Sequence, residues 1–221
     1  MLQRSPDPDT EEAFWDGYMR KLRARGTRSY PYVGCDWHNE EDFLSLLQQH
    51  AVPGARALEI GCGGGRITVA AAKLFAHVHA GDVSGEMLHE CEAAVTAPNV
   101  SFHKLDGFTL QEFADGSMDH VYAHDVFVQL SSIQVYPYLR EIRRVLAPGG
   151  IGLVSCYDFV AQFEKFREIS LHFWHARRPG THRRLHFLTQ EMLLAMLSDV
   201  GVEMLQVHRG TFLSVVFRKP R

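Results

Sequence analysis

Apolar positions along this chain change period repeatedly, and the changes divide it into alternating helices and strands. The first periodic stretch, residues 11–25, repeats Phe14, Tyr18 and Leu22 at i, i+4 and i+8 and predicts an amphipathic helix. A second helix over residues 40–49 gathers Phe43, Leu44 and Leu47, and Pro53 and Gly54 stop it. Ala57, Leu58 and Ile60 then read as a buried strand, closed by Gly61, Gly63, Gly64 and Gly65 and followed by a helix over residues 66–75. Strands are predicted at 77–82 and 100–105, separated by a helix that opens on Ser84 as N-cap and runs to residue 95. A fourth strand, 120–124, precedes a helix over 133–146 whose Ile133, Tyr136, Leu139, Ile142, Val145 and Leu146 make an apolar stripe, ended by Pro148, Gly149 and Gly150. The fifth strand, 151–157, is a near-continuous apolar run of the kind buried on both faces of a parallel sheet. A helix over 190–200 and a hairpin of strands 202–208 and 211–217, turning at Arg209 and Gly210, follow. Strands and helices alternating in this way define a doubly wound α/β domain, which binds ligands beyond the carboxyl ends of its strands.

The pattern divides further into a helical cap, residues 1–52, and a core, residues 53–221, that carries an insertion at 158–188. In the insertion a helix over 159–176 aligns Phe163, Phe166, Ile169 and Phe173, and a basic loop with Arg177, Arg178, Arg183 and Arg184 follows. The insertion is the expected source of substrate specificity. The aromatic segment 30–37 reads either as a lid over a bound ligand or as packing of the N-terminal helix.

Composition suits one enzyme-sized domain: 221 residues, 46% hydrophobic, net charge −3. That balance gives no support to a nucleic-acid partner, and the arginine cluster reads as a solvated loop. Cys35, Cys62, Cys91 and Cys156 form no C-x-x-C pair, so a zinc ribbon or disulfide framework is not expected, and a reducing cytoplasm is. The first residues are polar and acidic, and no stretch approaches the roughly 20 apolar residues that span a bilayer, so no membrane partner is expected.

The glycine-rich turn carries the chemistry. Glycines allow the backbone close to a ligand, and the following helix turns its free N–H groups and positive dipole end toward an anionic group. The third glycine of a dinucleotide fingerprint would fall at position 66, where this chain has Arg66. Glu59 stands at the mouth of the turn, where a carboxylate repels a pyrophosphate and attracts an ammonium. Asp82 ends the second strand about twenty residues further on, the spacing of a carboxylate on ribose hydroxyls. Val83 and Met87 offer apolar surface for a base, and Asp106, before Gly107, an acceptor for an exocyclic amine. A nucleoside bearing an amino acid fits these positions.

With these segments in view, the chain resembles the class I (Rossmann-like) S-adenosylmethionine-dependent methyltransferases, from about Asp36 onward. ALEIGCGGGRIT at 57–68, GDVSGEML at 81–88, the aspartate of KLDG at Asp106, DGSMDHVYAHDVFVQL at 115–130 and YLREIRRVLAPGG at 138–150 fall in that family's order and spacing. The resemblance implies a seven-stranded, mostly parallel sheet with an antiparallel last strand. It also implies S-adenosylmethionine as cofactor and S-adenosylhomocysteine as product, lying across the ends of the first strands. Glu59, Gly61 and Gly63 take the methionine end, with Cys62 and Arg66 of the same loop in the cofactor set. Asp82 takes the ribose, Val83, Met87, Asp106 and Gly107 surround the adenine, and the backbone around His124 faces the ammonium.

The activity so implied is methyl transfer to an oxygen or nitrogen of a small-molecule acceptor, with placement and exclusion of water as the main tasks. Where a base is needed, His124 is the first candidate, with Tyr157, His172 and His186 behind it. His172 and His175 at i, i+3 lack an acidic or cysteine partner at ligand spacing, so no metal is expected. A nicotinamide-dependent oxidoreductase, which Glu59 and Arg66 oppose, and a non-catalytic cofactor-binding partner domain are the alternatives. Oligomeric state stays open.

Overall fold

The computed structural model describes residues 11–24, 40–176 and 185–221. Two helices, α1 (Glu11–Ala24) and α2 (Glu40–His50), precede a β/α alternation. It runs β1 (Arg56–Ile60), α3 (Arg66–Ala71), β2 (His77–Asp82), α4 (Gly85–Ala94), β3 (Val100–Lys104), β4 (Met118–Ala123), α5 (Ser132–Val145) and β5 (Leu146–Asp158). Then come α6 (Phe163–Ala176), the short β6 (Phe187–Leu188), α7 (Gln190–Val200), β7 (Glu203–Arg209) and β8 (Leu213–Arg218).

The main sheet has the order β3-β2-β1-β4-β5-β8-β7. The first five strands are mutually parallel, whereas β8 runs antiparallel to both β5 and β7. This is the doubly wound sheet with an antiparallel last strand that the sequence implies, plus β6 pairing with the end of β5. Period-two alternation divides the core between the faces. Leu58, Val121, Val154 and Val215 pack with Leu139 and Ile142 of α5 and Leu193 and Leu197 of α7, while Ala57, Tyr122, Leu153 and Val216 pack with Phe43 and Leu47 of α2 and Ile67 of α3. Gly152 in mid β5 makes room for a neighbour, since a Cβ there would lie 2.2 Å from the Phe217 ring.

Several expectations about helix faces need correction. In α5 the buried stripe is Val135, Tyr138, Leu139, Ile142 and Val145, and Ile133 is 83% exposed. In α1 the inward face carries Trp15, Met19 and Leu22, and Phe14 is 43% exposed. Leu139, Ile142, Val145 and Leu146 of the expected α5 stripe are buried, and the differences lie in the first turn of α5 and in Phe14 of α1, because tertiary packing chooses among adjacent apolar residues that helical period alone leaves equivalent. Helix α3 stops at Ala71, where Lys73 and Leu74 donate to Ala70 and Ala71 in i→i+3 turns. The insertion helix α6 buries none of its described side chains, and Trp174 on it is 76% exposed. The aromatic segment 30–37, Cys35 and the arginine loop 177–184 lie outside the described residues. Among those described, no helix is long and apolar enough to cross a membrane.

Candidate active site

Strand order reverses between β1 and β4, and there the chain opens a crevice of about 960 Å³, its open mouth included. Its floor is the glycine turn after β1. Gly61 and Cys62 donate their N–H groups to Gly81 O at 2.7 and 3.0 Å, which pins the turn to β2. Gly61 has φ +75°, and a Cβ on it would lie 2.3 Å from Val126 Cγ2. Gly65, at φ +89°, leaves similarly little room, with Val95 Cγ2 at 2.9 Å and Cys91 Sγ at 3.0 Å from a built Cβ. The tight packing that sequence reading found missing at Arg66 is thus present one residue earlier, against α4 and its C-cap. Arg66 itself borders the crevice and is ion-paired with Glu40 of α2.

Asp82 is the best-organised acid of the site. Oδ2 accepts from Gly63 N at 2.9 Å and Oδ1 from Ser84 N at 2.8 Å, so one carboxylate joins the glycine turn to the start of α4. Burial pushes its carboxyl above the usual carboxylate range, against those two amide bonds and the charge of Lys104. A carboxylate has about four acceptor positions, so Asp82 retains capacity for a pair of hydroxyls.

Glu59 borders the same crevice deeper down. Its Oε2 accepts from Thr68 Oγ1 at 2.7 Å and Tyr122 Oη at 3.2 Å, and burial raises its pKa to about 7. It is therefore a partly protonated acid at neutral pH in the ligand-free protein, and a cation placed beside it would favour its ionised form.

The wall for a planar base consists of Val83, Met87, Leu105 and Gly107. Asp106 departs from expectation. Its Oδ1 accepts from Phe108 N at 2.7 Å and Thr109 N at 2.6 Å, and its Oδ2 from Thr109 Oγ1 at 2.9 Å. The carboxylate closes its own turn and does not border the crevice. Spacing identified the loop, but it could not show that the loop's own N–H groups compete for the acid.

His124 borders the crevice at the end of β4, 8% exposed, with its ring 4.3 Å from Phe43 and 5.1 Å from Phe212 between centroids. Burial, with the Arg66 charge adding to it, holds its pKa down at about 3. In the ligand-free protein the ring is therefore neutral at physiological pH and a weak proton acceptor. Tyr157, His172 and His186 do not border the crevice. Tyr157 is buried, stacked on Phe212 and Phe187, and His172 is exposed on α6. Asp125, directly after His124, is the one non-glycine residue at positive φ among those described, and this bend is where the chain leaves β4.

The roof of the crevice comes from residues outside the expected set. Glu11 and Trp15 of α1 and Gln129 also border the crevice, and Trp15 Nε1 donates to Gln129 Oε1 at 2.7 Å. On its other side α1 is held to α4, where Asp16 accepts from Ser84 Oγ and Arg23 pairs with Glu86 and Glu90. The available signal was Trp15, Met19 and Leu22 at i, i+4 and i+7.

A doubly wound sheet with a glycine turn, a second-strand acid and an apolar slot at its switch point defines a nucleoside-binding domain. Residues 58–154 match the family model for a methyltransferase domain. A ubiquinone biosynthesis O-methyltransferase of Xanthomonas campestris pv. campestris is 26% identical over 167 residues, 71% of this chain and 66% of that protein. A malonyl-[acyl-carrier protein] O-methyltransferase of Bacillus cereus is 30% identical over 140 residues, 61% of this chain and 48% of that protein. The chain thus spans from about half to just under two thirds of the length of these curated relatives. Among solved structures, magnesium protoporphyrin IX methyltransferase from Synechocystis, with bound S-adenosylhomocysteine, superposes with a TM-score of 0.70 at 17% identity, over 96% of this chain and 98% of that one. Residues 58–154 are thus similar to methyltransferase domains, on the fold of a methyltransferase solved with S-adenosylhomocysteine, and S-adenosylmethionine is the cofactor that this similarity implies. The residues present fit that group: every residue expected to bind it, Asp106 apart, borders one crevice.

Proposed function

We propose that this protein transfers a methyl group to a nucleophilic oxygen or nitrogen of a small-molecule acceptor by in-line displacement. The sulfonium cofactor supplies the electrophilic methyl. The chain's residues bind, orient and exclude water. Asp82 takes the ribose hydroxyls, Val83, Met87 and Leu105 hold the adenine, and the turn from Gly61 to Gly64 brings backbone to the amino-acid end beside Glu59. Helix α1 covers the bound nucleoside, and the insertion 158–188 with the cap 1–52 selects the acceptor. The O-methyltransferase names of two curated relatives favour oxygen as the accepting atom.

The observation that carries this reading is the Asp82 carboxylate, fixed by Gly63 N and Ser84 N at the edge of the crevice. S-adenosylhomocysteine is expected to raise the melting temperature and NADH to leave it unchanged. Incubation with labelled S-adenosylmethionine and a cell extract, followed by mass identification of the labelled product, names the acceptor. Stabilisation by NADH alone would refute the reading, and so would cofactor binding with no methyl transfer to any component.

A further inference from the structure

We propose that His79, His103 and Ser101 bind a late divalent transition-metal ion, zinc, nickel or copper, between β2 and the edge strand β3 and apart from the crevice. In sequence the cluster is scattered. His77 and His79 lie two apart on β2 and so share a face, and Ser101 and His103 do the same on β3. Parallel pairing sets His79 beside Ser101 and Gly81 beside His103. His79 Nδ1 then lies 3.0 Å from His103 Nε2, and Ser101 Oγ lies 3.1 Å from the first and 2.9 Å from the second, so the three atoms form a triangle. Phe113 stands edge-on to both rings, 5.6 and 5.1 Å away between centroids, and steadies their planes.

Hydrogen bonds alone do not satisfy this triangle. Each ring nitrogen offers one in-plane position, a proton or a lone pair, so neither makes a full bond to the other ring and to Ser101 at once. A metal ion above the triangle takes both ring lone pairs and one from the hydroxyl together. The sides are close to the ~3.3 Å that separates ligand atoms around a tetrahedral ion bonded at about 2.0 to 2.1 Å. Imidazole nitrogen favours zinc, nickel or copper over magnesium or calcium. His77 supports the set from behind, since its Nε2 lies 2.9 Å from Ser101 Oγ and can take the proton of the bound hydroxyl. Among the described residues no three histidine, cysteine or carboxylate groups meet as a metal site, so the third ligand is this hydroxyl and water completes the shell. Local charge permits a cation: that of Glu112 reaches His103, and Arg56, whose charge reaches His79, is itself paired with Asp119.

Zinc is the probe, offered to protein that carries no polyhistidine tag. Equilibrium dialysis followed by metal analysis is expected to find saturable uptake of about one ion per chain. His103→Phe keeps the aromatic contact with Phe113 and removes a ligand, and His77→Phe removes only the acceptor behind Ser101. Each is expected to weaken zinc binding about tenfold or more. His172→Ala, on the exposed helix α6, is expected to leave it unchanged. Absence of saturable uptake, undiminished affinity in His103→Phe or His77→Phe, or an equal loss in His172→Ala would overturn the proposal. Nitrogen-15 spectra of the unaltered protein provide a check independent of any variant's folding. Zinc is expected to shift His79 Nδ1 and His103 Nε2 together, and magnesium at the same concentration to shift neither. Zinc shifts confined to other histidines, or equal shifts with magnesium, would also overturn it.

Discussion

Trp15 Nε1 donates to Gln129 Oε1 at 2.7 Å, joining residues 114 positions apart across the mouth of the crevice. With Asp16 bonded to Ser84 on the opposite side, α1 spans the nucleoside slot from α4 to the segment after β4. Trp15→Phe keeps an aromatic ring and deletes the bond, a loss of about 1 kcal/mol. Stopped-flow release of S-adenosylhomocysteine is expected to quicken about fivefold, with the melting temperature nearly unchanged. An unaltered release rate would mean that α1 does not gate the slot.

Asp82→Ala removes the acceptor of Gly63 N and Ser84 N together with the proposed ribose contact. Affinity for S-adenosylhomocysteine is expected to fall by about 1.5 to 3 kcal/mol in calorimetry. Unchanged affinity would mean that the ribose is held elsewhere.

Gly61→Ala places a methyl group 2.3 Å from Val126 Cγ2 on a backbone at φ +75°. Steric overlap and backbone strain together are expected to destabilise the fold by about 2 kcal/mol or more in denaturant titration. Adding Val126→Ala should recover the steric part only. A neutral Gly61→Ala would show that the turn has room to shift.

His120 is 1% exposed in β4, with neither ring nitrogen hydrogen-bonded among the described residues. His120→Leu replaces an unpaired polar ring, packed beside Phe75 and Tyr122, by an apolar group. Stability is expected to rise by about 1 kcal/mol, since an unsatisfied buried donor or acceptor costs about 1 to 3. A loss of stability would point to shape as the dominant factor.

Burial holds His120 and His124 at about 3, whereas an unfolded histidine titrates near its ordinary 6.5. Above 6.5 both are neutral in either state and contribute no pH dependence. As pH falls below that value the unfolded chain takes up protons that the native state refuses, and each ring lowers stability by about 1.4 kcal/mol per pH unit until its native value is reached. Glu59, raised from 4.5 to about 7, acts oppositely, adding stability as pH falls through that interval. His79, held down at about 4, acts with the two buried imidazoles against Glu59, and His120→Leu is expected to flatten the loss of stability on acidification from 6.5 to 4.5. Denaturant titrations at several pH values measure the slope, and an unchanged slope in the variant would contradict the assignment to His120.

The sheet and its order of elements were legible because buried strands announce themselves as apolar runs, as 151–157 does, and because the glycine turn fixes where β1 ends. Asp82 was legible for a local reason: it ends a strand at a fixed distance from that turn. Asp106 looked equivalent, but its fate depends on a competition with Phe108 and Thr109 N–H groups that spacing does not reveal. His124 was legible as a position, whereas its low proton affinity was not, because that follows from burial and from the charge of Arg66 in the folded chain. Trp15 was hidden by the choice between neighbouring helix faces, which only docking on α4 resolves.

The insertion of β8 between β5 and β7 has a kinetic consequence. Ile151 pairs with Arg218, so the bare edge of β5 is covered only when a segment some sixty residues further along arrives. Until then the apolar run of β5 is an adhesive edge, open to strands of other molecules. Aggregation during refolding should therefore depend on how quickly the hairpin of β7 and β8 docks, and little on the half of the sheet that binds the nucleoside.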